Sequence, residues 1–227
     1  MTLKRNALLK PIVFLACLGP MCLLLFKGLN QFLPPIGPVT RLAAYTGDLG
    51  ANPIEVITHS TGLWTLIFLL ITLSVTPLRK LTGTLWLIQY RRMLGLFAFF
   101  YGTLHFTTYI WLDKFFNVHE MIKDIAKRPF ITIGFTAFVL MIPLAITSTT
   151  GWIRRLGGKR WNRLHQLIYL SATFGVIHFY WLVKKDVRRP VLYGTILGVL
   201  LLYRVITKVA GTGNKKRVAQ PVETQVA

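Results

Sequence analysis

Apolar residues fall along this chain in six long runs separated by short polar stretches: 11–29, 59–76, 93–112, 130–147, 164–183 and 191–206. A helix that crosses a bilayer needs about 20 mainly apolar residues. The runs are too long and too continuous for half-buried strands, and lipid offers the backbone no hydrogen-bond partners outside a helix or a closed barrel. The pattern therefore predicts an all-α membrane protein, a six-helix transmembrane bundle. The sixth run is the shortest, with Arg204 near its end.

The stretches between runs are short. The longest, about 30–58, is rich in Gly and Pro, and Pro34, Pro35 and Pro38 make it stiff and partly extended. Segment 113–128 has the length for a short interfacial helix. Residues from 207 onward are small, polar and basic, and are expected to form a disordered tail. No connecting stretch is long enough for a soluble catalytic domain or a dinucleotide-binding fold, and no internal repeat is visible.

Charge adds direction. A net charge of +20 would suit a nucleic-acid binder. Here, however, the Lys and Arg lie between and beside the apolar runs, where a membrane protein places them. With 53% hydrophobic residues and a mean hydropathy of +0.53, no nucleic-acid partner is expected, and membrane lipid is the surrounding medium. Placing the N-terminus in the cytoplasm puts 17 basic residues on the inner side and 10 on the outer. The positive-inside rule then predicts both termini cytoplasmic. Cys17 and Cys22 match no metal spacing and are read as small apolar residues in the first run. A cleaved signal peptide is not expected there.

The candidate chemistry lies in histidines. Lipid gives imidazole no partner, so an ionisable residue inside a spanning run is a functional hypothesis by default. His105 lies in the third run and His178 in the fifth, both in the outer half, so the two can face each other at similar depth. Neutral imidazole is a good axial ligand for haem iron, and helical bundles build such sites from ligands on two helices. His165 lies 13 residues before His178, roughly 20 Å away along a helix and about 140° round it. Either that helix bends or His165 serves a different, inner site. A matching partner for His165 would fall at Arg91, which is not a histidine. His59 and His119 are read as interfacial and solvated. The inner stretch with Arg154, Arg155, Arg160 and Arg163 is placed to pair with phosphate or propionate groups, with Trp152 or Trp161 beside a flat ring. Plain inner-side charge with an aromatic belt explains the same residues.

Several of these elements together carry a resemblance. Arg91-Arg92-Met93-Leu94-Gly95 leading to His105, then Ser148-Thr149-Thr150-Gly151-Trp152, then Trp161-Asn162-Arg163-Leu164-His165 with His178, resemble the ferric-reductase-like transmembrane family. The WxxLH element and the minimal length point to its branch of haem-binding membrane subunits of bacterial periplasmic methionine sulfoxide reductase systems. The resemblance covers the chain from the first run to the sixth, and makes 1–206 the haem-binding transmembrane domain and 207–227 the tail.

That resemblance implies haem b, held by His105 and His178 with His165 also implicated, and FMN as a further cofactor. Arg91, Arg92, Arg154, Arg155, Arg163 and Trp161 are then the candidate cofactor contacts. It implies a bacterial inner-membrane location and electron delivery to a periplasmic molybdopterin reductase subunit that repairs oxidised proteins. Arg91 stands where a two-haem member would need a histidine. Because the chain has no nicotinamide or flavin domain of its own, electrons must come from a quinol or a cytosolic flavin reductase. The alternatives are a ferric or cupric reductase, or a histidine-based proton or solute transporter. The transporter usually needs carboxylates within the spans, and none lies well inside a run.

Overall fold

A computed structural model describes residues 2–32, 49–183 and 185–218. Among them all regular structure is helical, with eight α-helices: α1 Thr2–Phe32, α2 Pro53–Thr82, α3 Arg91–Thr108, α4 Val118–Lys127, α5 Pro129–Ile146, α6 Thr150–Leu164, α7 Leu167–Leu182 and α8 Arg188–Val218. A 3-10 turn, Leu85–Tyr90, leads into α3, and a π-helical turn, Tyr109–Asp113, continues it. Most of the Gly- and Pro-rich stretch, residues 33–48, lies outside the described residues, as do 219–227.

Local signals set the helix ends. The Asn52 side chain accepts from the Glu55 N–H at the start of α2, Pro53 occupies its first turn, and Gly83 ends it in the left-handed region at φ 68°. Thr149 caps α6 through the Trp152 N–H.

Among the described residues five stretches are long and apolar enough to cross a membrane: Leu9–Gln31, Pro53–Thr82, Leu85–Asp113, Pro129–Ile146 and Arg188–Ala210. The fifth apolar run is the exception. It was expected to be one helix over 164–183, but α7 is 16 residues long and starts at Leu167. His165 and Gln166 form a turn instead, their N–H groups bonded back to Trp161 O and Arg163 O as α6 ends. At 1.5 Å per residue α7 covers about 24 Å, short of a roughly 30 Å hydrocarbon core.

Two further expectations change. The polar stretch between the fourth and fifth runs is not a loop but α6, bent at Gly157 (φ 71°, ψ 150°). The segment expected to be disordered from 207 is helical as far as Val218, because a helix already formed in the apolar section extends at one hydrogen bond per added residue. The short helix expected in 113–128 is α4.

The core consists of two antiparallel helix pairs, α2 with α3 and α5 with α7, the most extensive packings in the bundle. Aromatic rings fill the first: Phe68 stacks on Tyr101 at 5.3 Å and on Phe97 at 5.8 Å. Phe99 on α3 stacks on Phe138 of α5 at 5.6 Å and joins the pairs. Polar groups inside the spans bond to neighbouring helices. Ser171 donates to Ala137 O at 2.9 Å. Arg204 donates to Leu73 O at 2.9 Å and to the Tyr169 hydroxyl, with its guanidinium over the Tyr169 ring. The outer faces of α1 and α8 expose Leu15, Val199 and Leu202, as lipid-facing surfaces do.

Tyr101 is fully buried, and its hydroxyl bridges two groups of α1. It donates to Cys17 O at 2.9 Å and accepts from the Met21 N–H at 3.1 Å. A straight helix pairs those two groups with each other, and Pro20 lies between them. The hydroxyl thus fastens α1 beside Pro20 to α3. Tyr101→Phe should destabilise the protein by about 1–2 kcal/mol, seen as a lower midpoint of thermal unfolding in detergent. An unchanged midpoint would show that α1 does not depend on this contact.

At the other side of the π-turn, Phe115 and Phe116 both take left-handed backbone (φ 47° and 59°), a conformation costing about 1–2 kcal/mol per residue. Lys114 beside them is tied to Asp124 of α4 at 2.6 Å, and both side chains are largely buried. The Lys114 ammonium holds the Asp124 carboxyl below its ordinary 3.8, and the same pair raises Lys114 above 10.5. The carboxylate's contribution is therefore present above about pH 4 and lost as pH falls through its lowered value. The ammonium's is present below 10.5 and lost as pH rises through its raised value. The pair's contribution should be flat between these limits. The melting temperature should drop on acidification below about pH 4, and Asp124→Asn should lower the plateau and remove that acid limb.

Candidate cofactor site

The last turn of α3 carries His105, and the last turns of α7 carry His178. Their ring centroids are 6.1 Å apart, with planes at 70°. Each ring is fixed by the backbone of the helix paired with its own. His105 Nδ1–H donates to Thr58 O on α2 at 2.9 Å, and His178 Nδ1–H donates to Phe130 O on α5 at 2.6 Å. A carbonyl oxygen only accepts, so the proton sits on Nδ1 in both rings and Nε2 keeps its lone pair. That is the tautomer a metal ligand needs, set by a partner outside the coordination sphere. Thr58 Oγ1 also donates to Thr108 Oγ1 at 3.2 Å, holding α2 and α3 in register beside the ring.

Both rings line a cavity of about 590 Å³, within the 300–1,000 Å³ typical of small-molecule and cofactor sites. Its wall is apolar, with Leu66, Phe106, Phe138 and Met141 among the lining residues. Its polar mouth includes Asn52, Glu55, His59, Asp113 and Arg128. Among the described residues no three His, Cys, Asp or Glu side chains gather closely enough to hold an ion. A bare metal such as zinc asks for three or four protein ligands. Two opposed imidazoles on a large apolar cavity instead suit a metal that brings its own equatorial donors. A haem fits this donor set.

The other candidates are placed apart. His165 lies at the opposite end of the bundle, stacked on Trp161 at 3.8 Å, with Nδ1–H donated to Trp161 O at 3.1 Å. Its Nε2 is buried without a hydrogen-bond partner. Because His165 occupies the turn before α7, the angular mismatch along a straight helix does not arise. Trp161 donates its Nε1–H to Thr147 O at 2.8 Å. Arg91 is half-buried near His165, while Arg92, Arg154, Arg155 and Arg163 are exposed, Arg155 lying over the Trp152 ring. None of these residues lines the His105–His178 cavity. His59 is exposed at the mouth of that cavity, and His119 is exposed on α4.

The basic side chain at the cavity mouth is Arg128, which sequence reasoning did not single out. It makes a 3.5 Å ion pair with Asp124. Its only signal was position, immediately before the fourth apolar run. The carbonyls of Thr58 and Phe130 had no signal, since every residue has one.

The family described as the ferric reductase like transmembrane component matches residues 60–176, a span that includes His105 and His165 and ends just before His178. The chain is similar to the "Protein-methionine-sulfoxide reductase heme-binding subunit MsrQ" of Herminiimonas arsenicoxydans, 57% identical over 191 residues, covering 82% of this chain and 87% of that protein. The protein of the same name from Ralstonia nicotianae is 55% identical over 172 residues, covering 74% and 79%. The one from Azospira oryzae is 53% identical over 170 residues, covering 74% and 73%. The chain therefore belongs to the ferric reductase like transmembrane component family, in one group with these relatives.

Proposed function

We propose that this chain is the haem-binding, electron-transferring membrane subunit of a protein-methionine-sulfoxide reductase, a transmembrane b-type cytochrome. The observation that carries the reading is the pair of imidazoles, each locked by a carbonyl with Nε2 left free to ligate, facing each other on one apolar cavity. His105 and His178 would hold the iron. Bound haem supplies one-electron exchange between ferric and ferrous iron. The protein's own groups orient the two ligands, exclude water with Leu66, Phe106, Phe138 and Met141, and set Arg128 at the mouth as a counter-charge for acidic groups.

In this proposal the bundle crosses a bacterial inner membrane six times with both termini cytoplasmic. The excess of basic residues on that side supports the orientation. Two contacts support counting α7 as a span despite its length. Ser171 meets Ala137 and His178 meets Phe130, so α7 runs antiparallel to the spanning helix α5 over the same depth. Electrons enter from a quinol or a cytosolic flavin reductase at the arginine-rich end. They leave from the histidine end to a periplasmic molybdopterin catalytic subunit. The names of the relatives support this acceptor over ferric or cupric ions. Those names speak of haem alone, so the flavin implied by the family resemblance is no part of the proposal. A proton relay fits poorly, since imidazoles with Nδ1–H committed to a carbonyl cannot exchange tautomers without breaking that bond.

A reduced-minus-oxidised absorption spectrum of the purified protein, expressed with haem available, tests the reading. The wild type should show a low-spin b-type spectrum that His105→Ala and His178→Ala each abolish or convert, while His119→Ala leaves it unchanged. A colourless wild type, or a spectrum intact in both ligand variants, would overturn the assignment.

A further inference from the structure

Both histidines sit in the same kind of notch. Thr58 O and Gly62 face His105 from α2, and Phe130 O and Gly134 face His178 from α5. In each case the glycine stands four residues after the carbonyl. In an α-helix that spacing makes the glycine's own N–H the partner of the same oxygen. The imidazole N–H therefore uses the carbonyl's remaining acceptor capacity, which at Thr58 it shares with the Thr61 hydroxyl at 3.0 Å, itself nearer to Ile57 O at 2.8 Å, and it must approach across the surface of the residue four positions on.

Only a residue without a side chain leaves that approach open. A Cβ on Gly62 would lie 3.0 Å from His105 Cε1 and 3.1 Å from its Nδ1. A Cβ on Gly134 would lie 2.6 Å from His178 Nδ1 and 2.9 Å from its Cε1. Neither glycine needs its conformational freedom, since neither is among the positive-φ residues. Within a helix each costs roughly 0.5–1 kcal/mol relative to alanine, so space beside the ring is what the glycine provides. Gly102 is also tight, but there a Cβ would meet the flexible end of Met141 at 2.9 Å rather than an imidazole, and at Gly95 the nearest neighbour, Thr72 Cγ2, would lie at 3.7 Å.

We propose that Gly62 and Gly134 are positioning residues for the two haem ligands. By omitting Cβ, each admits its imidazole to the shared carbonyl, and so fixes which nitrogen faces the cavity and the 70° between the rings. Donation of Nδ1–H to a carbonyl also raises the basicity of the ligating nitrogen. Pushing the ring off the carbonyl weakens the ligand toward ferric iron more than toward ferrous, so the midpoint potential rises. Gly134→Ala acts more strongly than Gly62→Ala, because its notch is tighter.

The inference rests on the haem reading above, and its test separates the two. Haem content, midpoint potential and the low-spin electron paramagnetic resonance spectrum are measured on the full-length wild type, Gly62→Ala, Gly134→Ala and Gly95→Ala. The two notch variants should show a raised potential and a shifted low-spin signal, or loss of haem in Gly134→Ala, with Gly95→Ala matching the wild type. A wild type without haem sinks the functional reading. A haem-loaded wild type with both notch variants unchanged sinks this inference alone. If Gly134→Ala does not accumulate, Gly62→Ala decides, since its 3.0 Å contact asks for a shift of only a few tenths of an ångström.

Discussion

An imidazole N–H inside a bilayer has no water to bond and must find an acceptor in protein. Here the acceptor is the backbone of the neighbouring helix, at Thr58 for His105 and at Phe130 for His178. Much of the bundle follows from meeting that demand twice. Each histidine must lie within hydrogen-bond reach of a particular carbonyl, which fixes the register of α2 against α3 and of α5 against α7. These are the two most extensive packings in the bundle. The rings then point away from their carbonyls toward a common space, and the cavity lies where the two pairs meet.

Other polar groups in the spans obey the same constraint. Tyr101 satisfies the backbone of α1 beside Pro20, Ser171 satisfies Ala137, and Arg204 is held by Leu73 and Tyr169. Each of these bonds joins different helices, so the interior polar atoms specify which helices are neighbours. Apolar packing alone specifies this weakly in lipid, where the surroundings are as apolar as the side chains.

The apolar runs were legible in the sequence because hydropathy over 20 residues is a strong, local signal, and the pairing of His105 with His178 because both lie deep in their runs. The break at His165–Gln166 was not legible: apolar content continues through it, and the turn is made by backbone bonds to Trp161 and Arg163. Arg91, Arg92, Arg154, Arg155 and Arg163 were read as inner-side residues, and none of them lines the His105–His178 cavity. Arg128 follows Lys127 in a stretch of mixed charge, so local charge did not set it apart from its neighbour. The carbonyls and glycines that seat the rings carry no chemical label of their own. Thr58-His59-Ser60-Thr61-Gly62 and Phe130-Ile131-Thr132-Ile133-Gly134 hardly resemble each other, so the repeated notch is apparent only in three dimensions.

The division of the site between two helical hairpins also bears on how the protein is made. Each hairpin holds one complete half of the site: a histidine, its carbonyl and its glycine, all contributed by two adjacent helices. A half-site can therefore form as soon as its own hairpin has entered the membrane, before the rest of the chain is translated. The two halves then meet through the Phe99–Phe138 stack and the shared cavity. A cofactor held between the two histidines, as proposed, would then act as a rivet between the two units.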